Sequence, residues 1–253
     1  MTFWEEFYPP APELLFHTRL LAYVDILGWT ALINSRRHTE VAERIFSAMV
    51  HLRRAREAEV ERKRNFAAFG IPFGQSVRMA YFSDTFVYSC APTPDEAAFL
   101  VSEVQSVCAR LLRRGHYARG AVVVGELQHN DDGLVGRALV AAHEIERNVA
   151  KYPRLVVTGE AAPLLLGPRL RVEHDPGPSQ VRTDFDGLQY LDIFRKPRTA
   201  RVREDIVEAK AIVEKDLNAT NDLNHRAKYQ WLLRYLDDLL AEPPPAADSS
   251  PAK

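Results

Sequence analysis

Residues Leu20–Ile33, LLAYVDILGWTALI, place a single acid, Asp25, inside an otherwise apolar run. The first half is short and rich in strand-forming residues, which predicts a buried β-strand, and a helical pattern begins at Thr30, just after Gly28. A buried aspartate is rare unless it is paired or binds a metal. The stretch therefore predicts a strand that ends at a functional carboxylate. The competing interpretation is an aspartate that caps the next helix or forms a structural salt bridge.

The composition excludes several classes of protein. The chain has 253 residues, 46% of them hydrophobic, and a net charge of -1, which allows one sizeable domain and predicts neither nucleic acid nor an anionic surface as a partner. The two cysteines predict no disulfide framework and no zinc site. The N-terminus MTFWEEFYPPAPELL lacks the features of a signal peptide, and no apolar run reaches about 18 residues. We therefore expect a cytoplasmic protein with no membrane span.

The order of patterns along the chain predicts the fold class. Strand, helix, hairpin, helix, strand, helix and strand follow one another, which is typical of an α/β sandwich with a mixed sheet, as in palm-type nucleotide-polymerising domains. Parallel neighbours joined through helices would explain the continuous apolar strands. Four segments are predicted: a leader over 1–18, a catalytic domain over 19–198, helices over 199–241 that pack on it, and a disordered tail over 242–253.

A second acid, Asp84, lies at the turn of a predicted hairpin over 76–91, SVRMAYFSDTFVYSCA. Alone, an aspartate there is ordinary turn chemistry. Together with Asp25, it gives two carboxylates at neighbouring ends of one sheet, which repel each other unless cations lie between them. Mg²⁺ favours one or two carboxylates plus substrate phosphates, and two ions about 3.5–4 Å apart can activate an attacking oxygen and stabilise a leaving one. The pair predicts a two-metal site.

Three segments carry a resemblance to a known family. YVDILGW (23–29), FSDT (82–85) and RGAVVVGELQHNDDGLVGRALVAAHEIE (119–146) resemble, in order and spacing, the metal motifs and the following strand–loop–helix of class III nucleotidyl cyclases. The resemblance covers roughly residues 20–195. MAYFSDTFVYS (79–89) with GRALVAAHEIE (136–146) and YPR (152–154) further resembles the bacterial pyrimidine cyclases of Pycsar antiphage defence.

The departures from the purine cyclases concern the base. Where those enzymes have a lysine and an aspartate that read adenine, this chain has Ala80 and Gly133. Where they have an asparagine and an arginine on the following helix, it has Val140 and Glu144. Because both metal carboxylates remain, the resemblance implies changed base specificity, with UTP or CTP as substrate and 3′,5′-cyclic UMP or CMP as product.

The resemblance also assigns the metal and phosphate contacts. Asp25, Asp84 and the carbonyl of Ile26 would hold two Mg²⁺ or Mn²⁺ ions. The backbone of the next four residues would cradle the triphosphate at the start of a helix, and a glycine there lets phosphate approach closely; these are Leu27, Gly28, Trp29 and Thr30.

Other candidate residues remain open between two interpretations. Arg78 and Tyr81 are candidates for the base side, but side chains alternate along a strand, so at most one of them faces the substrate. Tyr81 would otherwise pack on the sheet. Arg147 is a candidate for phosphate charge or an exposed helix charge, and Arg119 is a site residue or the structural partner of a nearby acid.

The resemblance implies a homodimer with composite active sites, and a product that acts as a second messenger on a separate effector protein. Two rival functions remain. The first is a purine cyclase with a diverged base pocket, acting on ATP or GTP. The second is a cyclase-like domain that binds nucleotide without turnover.

Overall fold

The computed structural model describes residues 15–34, 38–70, 74–130, 133–166, 180–194 and 200–242. Most of the predicted leader and almost all of the predicted tail lie outside these ranges. Within them, no helix combines the length and apolar character needed to cross a membrane.

The sheet has a βαββαβ unit at its centre. Its strands are β1 (His17–Ile26), β2 (Arg78–Phe82), β3 (Thr85–Cys90) and β4 (Ala118–His129), in the spatial order β2-β3-β1-β4. β1 pairs antiparallel with both β3 and β4, and β2 pairs antiparallel with β3. This is the ferredoxin-like arrangement, so the predicted α/β, palm-type fold with a mixed sheet is confirmed.

The sheet continues beyond β4 through β6 (Leu155–Val157), β8 (Gln189–Leu191) and β7 (Val181–Thr183), and β5 (Leu134–Val135) pairs with β4 at one side. β4 and β6 are parallel, whereas β8 is antiparallel to both β6 and β7. Parallel neighbours joined through a helix occur at β4 and β6, but they do not explain the apolar character of β1, because both neighbours of β1 run opposite to it.

The continuous apolar character of β1 has a different cause, which is that helices cover both faces of the sheet. Leu20, Ala22 and Val24 pack into one core with α2 (His38–Ala68) and α3 (Pro94–Leu112). Leu21 and Tyr23 pack into a second core with α4 (Arg137–Asn148). Successive residues of a strand point to opposite faces, so a strand buried on both sides is apolar throughout.

The remaining helices are α1 (Trp29–Ile33), α5 (Ala162–Leu166), α6 (Ala200–Ala219) and α7 (Leu223–Ala241). The single helix predicted from Thr30 onward is thus two helices, α1 and α2. Thr93 caps α3 only through its backbone. Glu96, expected to complete a capping box with it, instead accepts hydrogen bonds from the backbone N–H and hydroxyl of Ser76.

Helices α6 and α7 pack on the domain through a third apolar cluster that includes Tyr117 and Tyr190 of the sheet. Polar contacts fix the same interface. The fully buried Arg154 forms ion pairs with Asp184 and Asp186, and the Trp231 indole N–H donates to Asp184 Oδ2 (2.6 Å). Leu27, which directly follows β1, packs against the same cluster, so α7 lies near the end of β1 and the candidate site.

Candidate active site

Strand pairing brings the two predicted metal carboxylates together. Asp25 lies opposite Thr85 in the β1–β3 ladder, and Thr85 directly follows Asp84. The backbone N–H of Ile26 donates to the Asp84 carbonyl (3.0 Å), which holds the hairpin turn against the end of β1. Ser83, the first residue of the turn, has a φ of 52°, in the left-handed region that non-glycine residues rarely occupy. The turn thus has an unusual conformation at the point where it presents Asp84.

The charges around Asp25 make its ionised form costly. Burial, then the negative charges of Asp84 and Glu146, raise the pKa of Asp25 to about 7, against the opposing effect of Arg119. Arg119 Nε lies 3.7 Å from Asp25 Oδ2, and its other end pairs with Glu146. The Thr85 hydroxyl donates to Asp25 Oδ1 over 3.5 Å. The site therefore has more negative charge than Arg119 compensates, which favours a bound cation.

The donor set fits Mg²⁺ or Mn²⁺. Two carboxylates converge, and the described ranges contain no group of three or more histidine, cysteine, aspartate or glutamate side chains placed to bind a metal. Hard divalent ions of this kind commonly use one or two carboxylates and complete their shell with water and phosphate oxygens. A zinc-like site would need more protein ligands.

The predicted phosphate cradle is smaller than expected. The N–H of Ile26 is used by Asp84, and the N–H of Leu27 donates to the Tyr117 carbonyl (2.7 Å), so neither is available to a phosphate. The phosphate contact predicted for Leu27 stays a prediction, with its N–H already donating within the fold. Gly28 is exposed with a φ of 81°, Thr30 is exposed, and the Trp29 side chain is buried in the core. Gly28–Thr30 is the part of the segment that remains available.

The two base-side candidates occupy opposite faces of β2. Arg78 lines a cavity of about 390 Å³, together with Ala80, Gly133, His129 and Asn130. Tyr81, in contrast, packs against the core that lies on the other face of the sheet. Tyr81 therefore takes its alternative role in sheet packing, and Arg78 is the candidate that faces a cavity.

Helix α4 presents a different residue to the site than the one predicted. Its buried positions are Ala138, Ala142 and Glu146, spaced by four residues, so they form one stripe that faces the sheet. Arg147 is exposed and lies outside this stripe. It is not brought to Asp25 of its own chain and stays a prediction for a site shared between two chains. Glu146 was missed, although the four-residue spacing of small residues before it marks the buried face.

Two cations lie on this side of the sheet, Arg119 beside Asp25 and Lys228 near Arg119. Arg119 is the structural partner of Asp25 and Glu146, and its role in the site stays a prediction. Lys228, at the start of α7, is partly buried, and burial and the charge of Arg119 both lower its pKa. The neighbouring Tyr229 packs on Tyr117 with ring centroids 5.2 Å apart, which holds this part of α7 beside β4. Lys228 could not be found from sequence, because α7 is separated from the motifs by about 80 residues or more.

Solved structures similar to this chain include the following three nucleotide cyclases. A bacterial light-regulated adenylyl cyclase matches with a TM-score of 0.47 and 11% identity over 90% of this chain and 60% of its own. The adenylyl cyclase CyaB from P. aeruginosa matches with a TM-score of 0.45 and 13% identity over 71% of this chain and 97% of its own. The catalytic core of a rhodopsin-guanylyl cyclase with converted specificity, in complex with ATPalphaS, matches with a TM-score of 0.46 and 15% identity. The match covers 69% of this chain and 94% of its own.

This chain spans less than two thirds of the light-regulated cyclase, and no family model and no curated protein sequence matches it. With TM-scores below 0.5 and identities of 15% or less, these likenesses carry no argument about the activity of this chain.

Proposed function

We propose that this protein is a pyrimidine nucleotide cyclase that converts UTP or CTP into the 3′,5′-cyclic monophosphate and pyrophosphate. The observation that carries the proposal is the convergence of Asp25 and Asp84, where burial and then the neighbouring negative charges raise the pKa of Asp25 to about 7. Such a strongly perturbed acid at the end of a central strand is characteristic of a functional site.

Asp25 and Asp84, with the Ile26 carbonyl, would hold Mg²⁺ or Mn²⁺. When bound, such ions polarise phosphate oxygens and favour the attack of an oxygen nucleophile. In the reaction, the ribose 3′ oxygen forms a bond to the α-phosphorus, the bond from that phosphorus to the β-phosphate oxygen breaks, and the hydroxyl proton is released. Catalysis of phosphoryl transfer is mostly positioning and charge stabilisation, so the protein's remaining task is to orient the nucleotide.

The cations of the site suit the phosphates. Arg119 is held by Glu146 and lies 3.7 Å from Asp25, so its position is fixed before substrate arrives. Lys228 has no ion-pair partner among the described residues and stands near Arg119, a second positive charge. Two neighbouring cations repel each other unless an anion lies between them, and a triphosphate is such an anion. Gly28–Thr30 would add backbone contacts.

The cavity beside β2 supports a pyrimidine rather than a purine. Ala80 and Gly133, at the positions of the purine-reading side chains in the resembled enzymes, line it together. An adenine bound there would leave its polar edge without those two partners, at about 1–3 kcal/mol for each unmatched group. Discrimination against ATP is therefore expected to reach roughly a hundredfold.

The biological setting follows from the resemblance. The enzyme would act in the cytoplasm as a homodimer, with the metal-binding face from one chain and α4 from the other. Arg147 could then reach the phosphates of the partner's site. The cyclic nucleotide would serve as a second messenger in antiphage defence and activate a separate effector protein.

Incubation of the protein with each of the four ribonucleoside triphosphates and Mg²⁺ or Mn²⁺, followed by mass spectrometry, tests the proposal. A cyclic pyrimidine nucleotide and pyrophosphate are the expected products. Comparable rates with ATP and UTP would favour a purine cyclase with a diverged pocket. Binding without pyrophosphate release, in a protein with intact secondary structure, would favour a nucleotide-sensing domain.

A further inference from the structure

The cavity beside β2 has a size suited to a small ring. Its volume of about 390 Å³ lies at the lower end of the usual range for ligand pockets, about 300–1,000 Å³. Ala80, Leu134 and Leu139 supply apolar walls, and Arg78 and His129 supply polar groups. The polar groups decide which base edge the cavity can accept.

A buried relay fixes the tautomer of His129. Arg19 Nε donates to Ser89 Oγ (2.9 Å), and Ser89 Oγ lies 2.8 Å from His129 Nδ1. A hydroxyl has one proton to donate, and Ser89 is fully buried with no other acceptor for that proton in the described part of the chain. The Ser89 proton therefore points to Nδ1, which must accept it. The proton of the neutral imidazole then lies on Nε2.

His129 stays neutral at physiological pH. Burial, then the charges of Arg19 and Arg78, lower its pKa to about 4. The neutral ring with Nδ1 as the acceptor offers Nε2–H as a donor and cannot offer an acceptor on that side.

The charged side chains and the imidazole that line the cavity are donors. One nitrogen of the Arg78 guanidinium donates to two backbone carbonyls, those of Gln75 and Val77, at 3.0 Å each, and Arg78 also lines the cavity. The lining side-chain acceptor that the structure describes, Asn130 Oδ1, already accepts the N–H of Gly133 (3.0 Å). The other polar side chains of the lining, Arg56, Arg78 and His129, are donors.

We infer that this cavity selects uracil over cytosine, with the His129 Nε2–H and the Arg78 guanidinium donating to the uracil carbonyl oxygens. The inference rests on the proposed function and identifies UTP as the substrate of that same site. Uracil has carbonyls at both C2 and C4, whereas cytosine has an amino group at C4 that would meet a donor. One unmatched donor typically gives a 10- to 100-fold difference.

The test is the ratio of kcat/KM for UTP to that for CTP. A ratio of about 10–100 is expected for the wild-type protein. In His129→Gln, whose amide can turn either an N–H or a carbonyl toward the base, the ratio should fall to within about threefold of unity, with CTP activity kept or raised. Ser89→Ala should lower the ratio in the same way, because the tautomer is no longer fixed, and Ser89→Thr should preserve it.

Glu126→Gln is the matched control, since this residue lies on the same strand with an exposed side chain that does not line the cavity, and it should leave the ratio unchanged. Affinities for the non-cyclisable α,β-methylene analogues of UTP and CTP, measured by calorimetry with Mg²⁺, give the same ratio where a variant is inactive. A wild-type protein that cyclises CTP as well as UTP would overturn the inference and leave the proposed function standing. A ratio unaltered in His129→Gln would also overturn it. If neither pyrimidine triphosphate gives a product, the proposed function is refuted. In that case the affinities for the two analogues still test the preference for uracil, and equal affinities would refute it.

Discussion

Replacement of Asp25 by asparagine is expected to stabilise the metal-free protein at neutral and alkaline pH. Asparagine has the same shape and keeps an acceptor for the Thr85 hydroxyl, but it has no charge to be repelled by Asp84 and Glu146. The variant should lose activity and gain stability, which is the opposite of what the loss of a structural salt bridge to Arg119 would give.

The sign follows from proton linkage. The Asp25 pKa is about 7 in the folded protein and 3.8 in a model peptide, so below about pH 4 the group is protonated in both states and contributes nothing. Between those values the unfolded chain releases the proton and the folded protein retains it. The free energy of unfolding therefore falls as pH rises, and the loss is complete above about pH 7.

The magnitude can be bounded. At about 1.4 kcal/mol per pKa unit, the shift from 3.8 to about 7 corresponds to roughly 4 kcal/mol. Water screens a side chain that is 19% exposed, so we expect a gain of about 1–3 kcal/mol for Asp25→Asn at pH 8. For a chain of this size that is a rise in Tm of several degrees.

The assay is thermal and urea denaturation of both proteins in EDTA at pH 4, 6 and 8, repeated with Mg²⁺. The stability difference should grow with pH, and Mg²⁺ should stabilise the wild type at pH 8 but not the variant. Glu126→Gln, which removes an acid that is 57% exposed, should change stability by less than about 0.5 kcal/mol. An Asp25→Asn protein that is less stable at pH 8, or a difference that is independent of pH, would refute the reasoning.

Further expectations concern turnover. Asp84→Ala should abolish cyclic nucleotide formation with an unchanged circular dichroism spectrum, and an active variant would return Asp84 to ordinary turn chemistry. Glu146→Gln should lower the Asp25 pKa, seen as a smaller pH dependence of stability, because it removes one of the repelling charges. Lys228→Ala should reduce kcat/KM about 10- to 100-fold, as expected for a lost hydrogen bond to a charged phosphate. Lys210→Ala, which removes a lysine paired with Asp237, is its control. In mixed dimers, Asp25→Ala and Asp84→Ala should not complement each other, because both changes lie on one face of one chain, and recovered product would show that the two acids come from different chains.

The fold was largely predictable because its signals are local. The apolar run of β1, the hairpin around Asp84 and the helix opened by Pro94 each lie within about 20 residues of sequence. The direction of neighbouring strands could not be predicted from local sequence patterns. The antiparallel pairing of β1 with β4 depends on a connection through a hairpin and three helices, and a strand buried on both faces is apolar whichever way its neighbours run.

The site was predictable only as far as its acids, and the reason is physical. Asp25 and Asp84 end adjacent strands, so local patterns suffice to bring them together. The charges of Arg119 and Glu146, which act on Asp25, come from β4 and α4, and their roles depend on which face of each element is buried. Arg147 and Glu146 are neighbours in sequence, yet only Glu146 belongs to the stripe that faces the sheet. A rotation of about 100° per residue thus separates an exposed charge from one that raises the pKa of Asp25. For the same reason, residue type alone did not distinguish Arg78, which faces the cavity, from Tyr81, which faces the core.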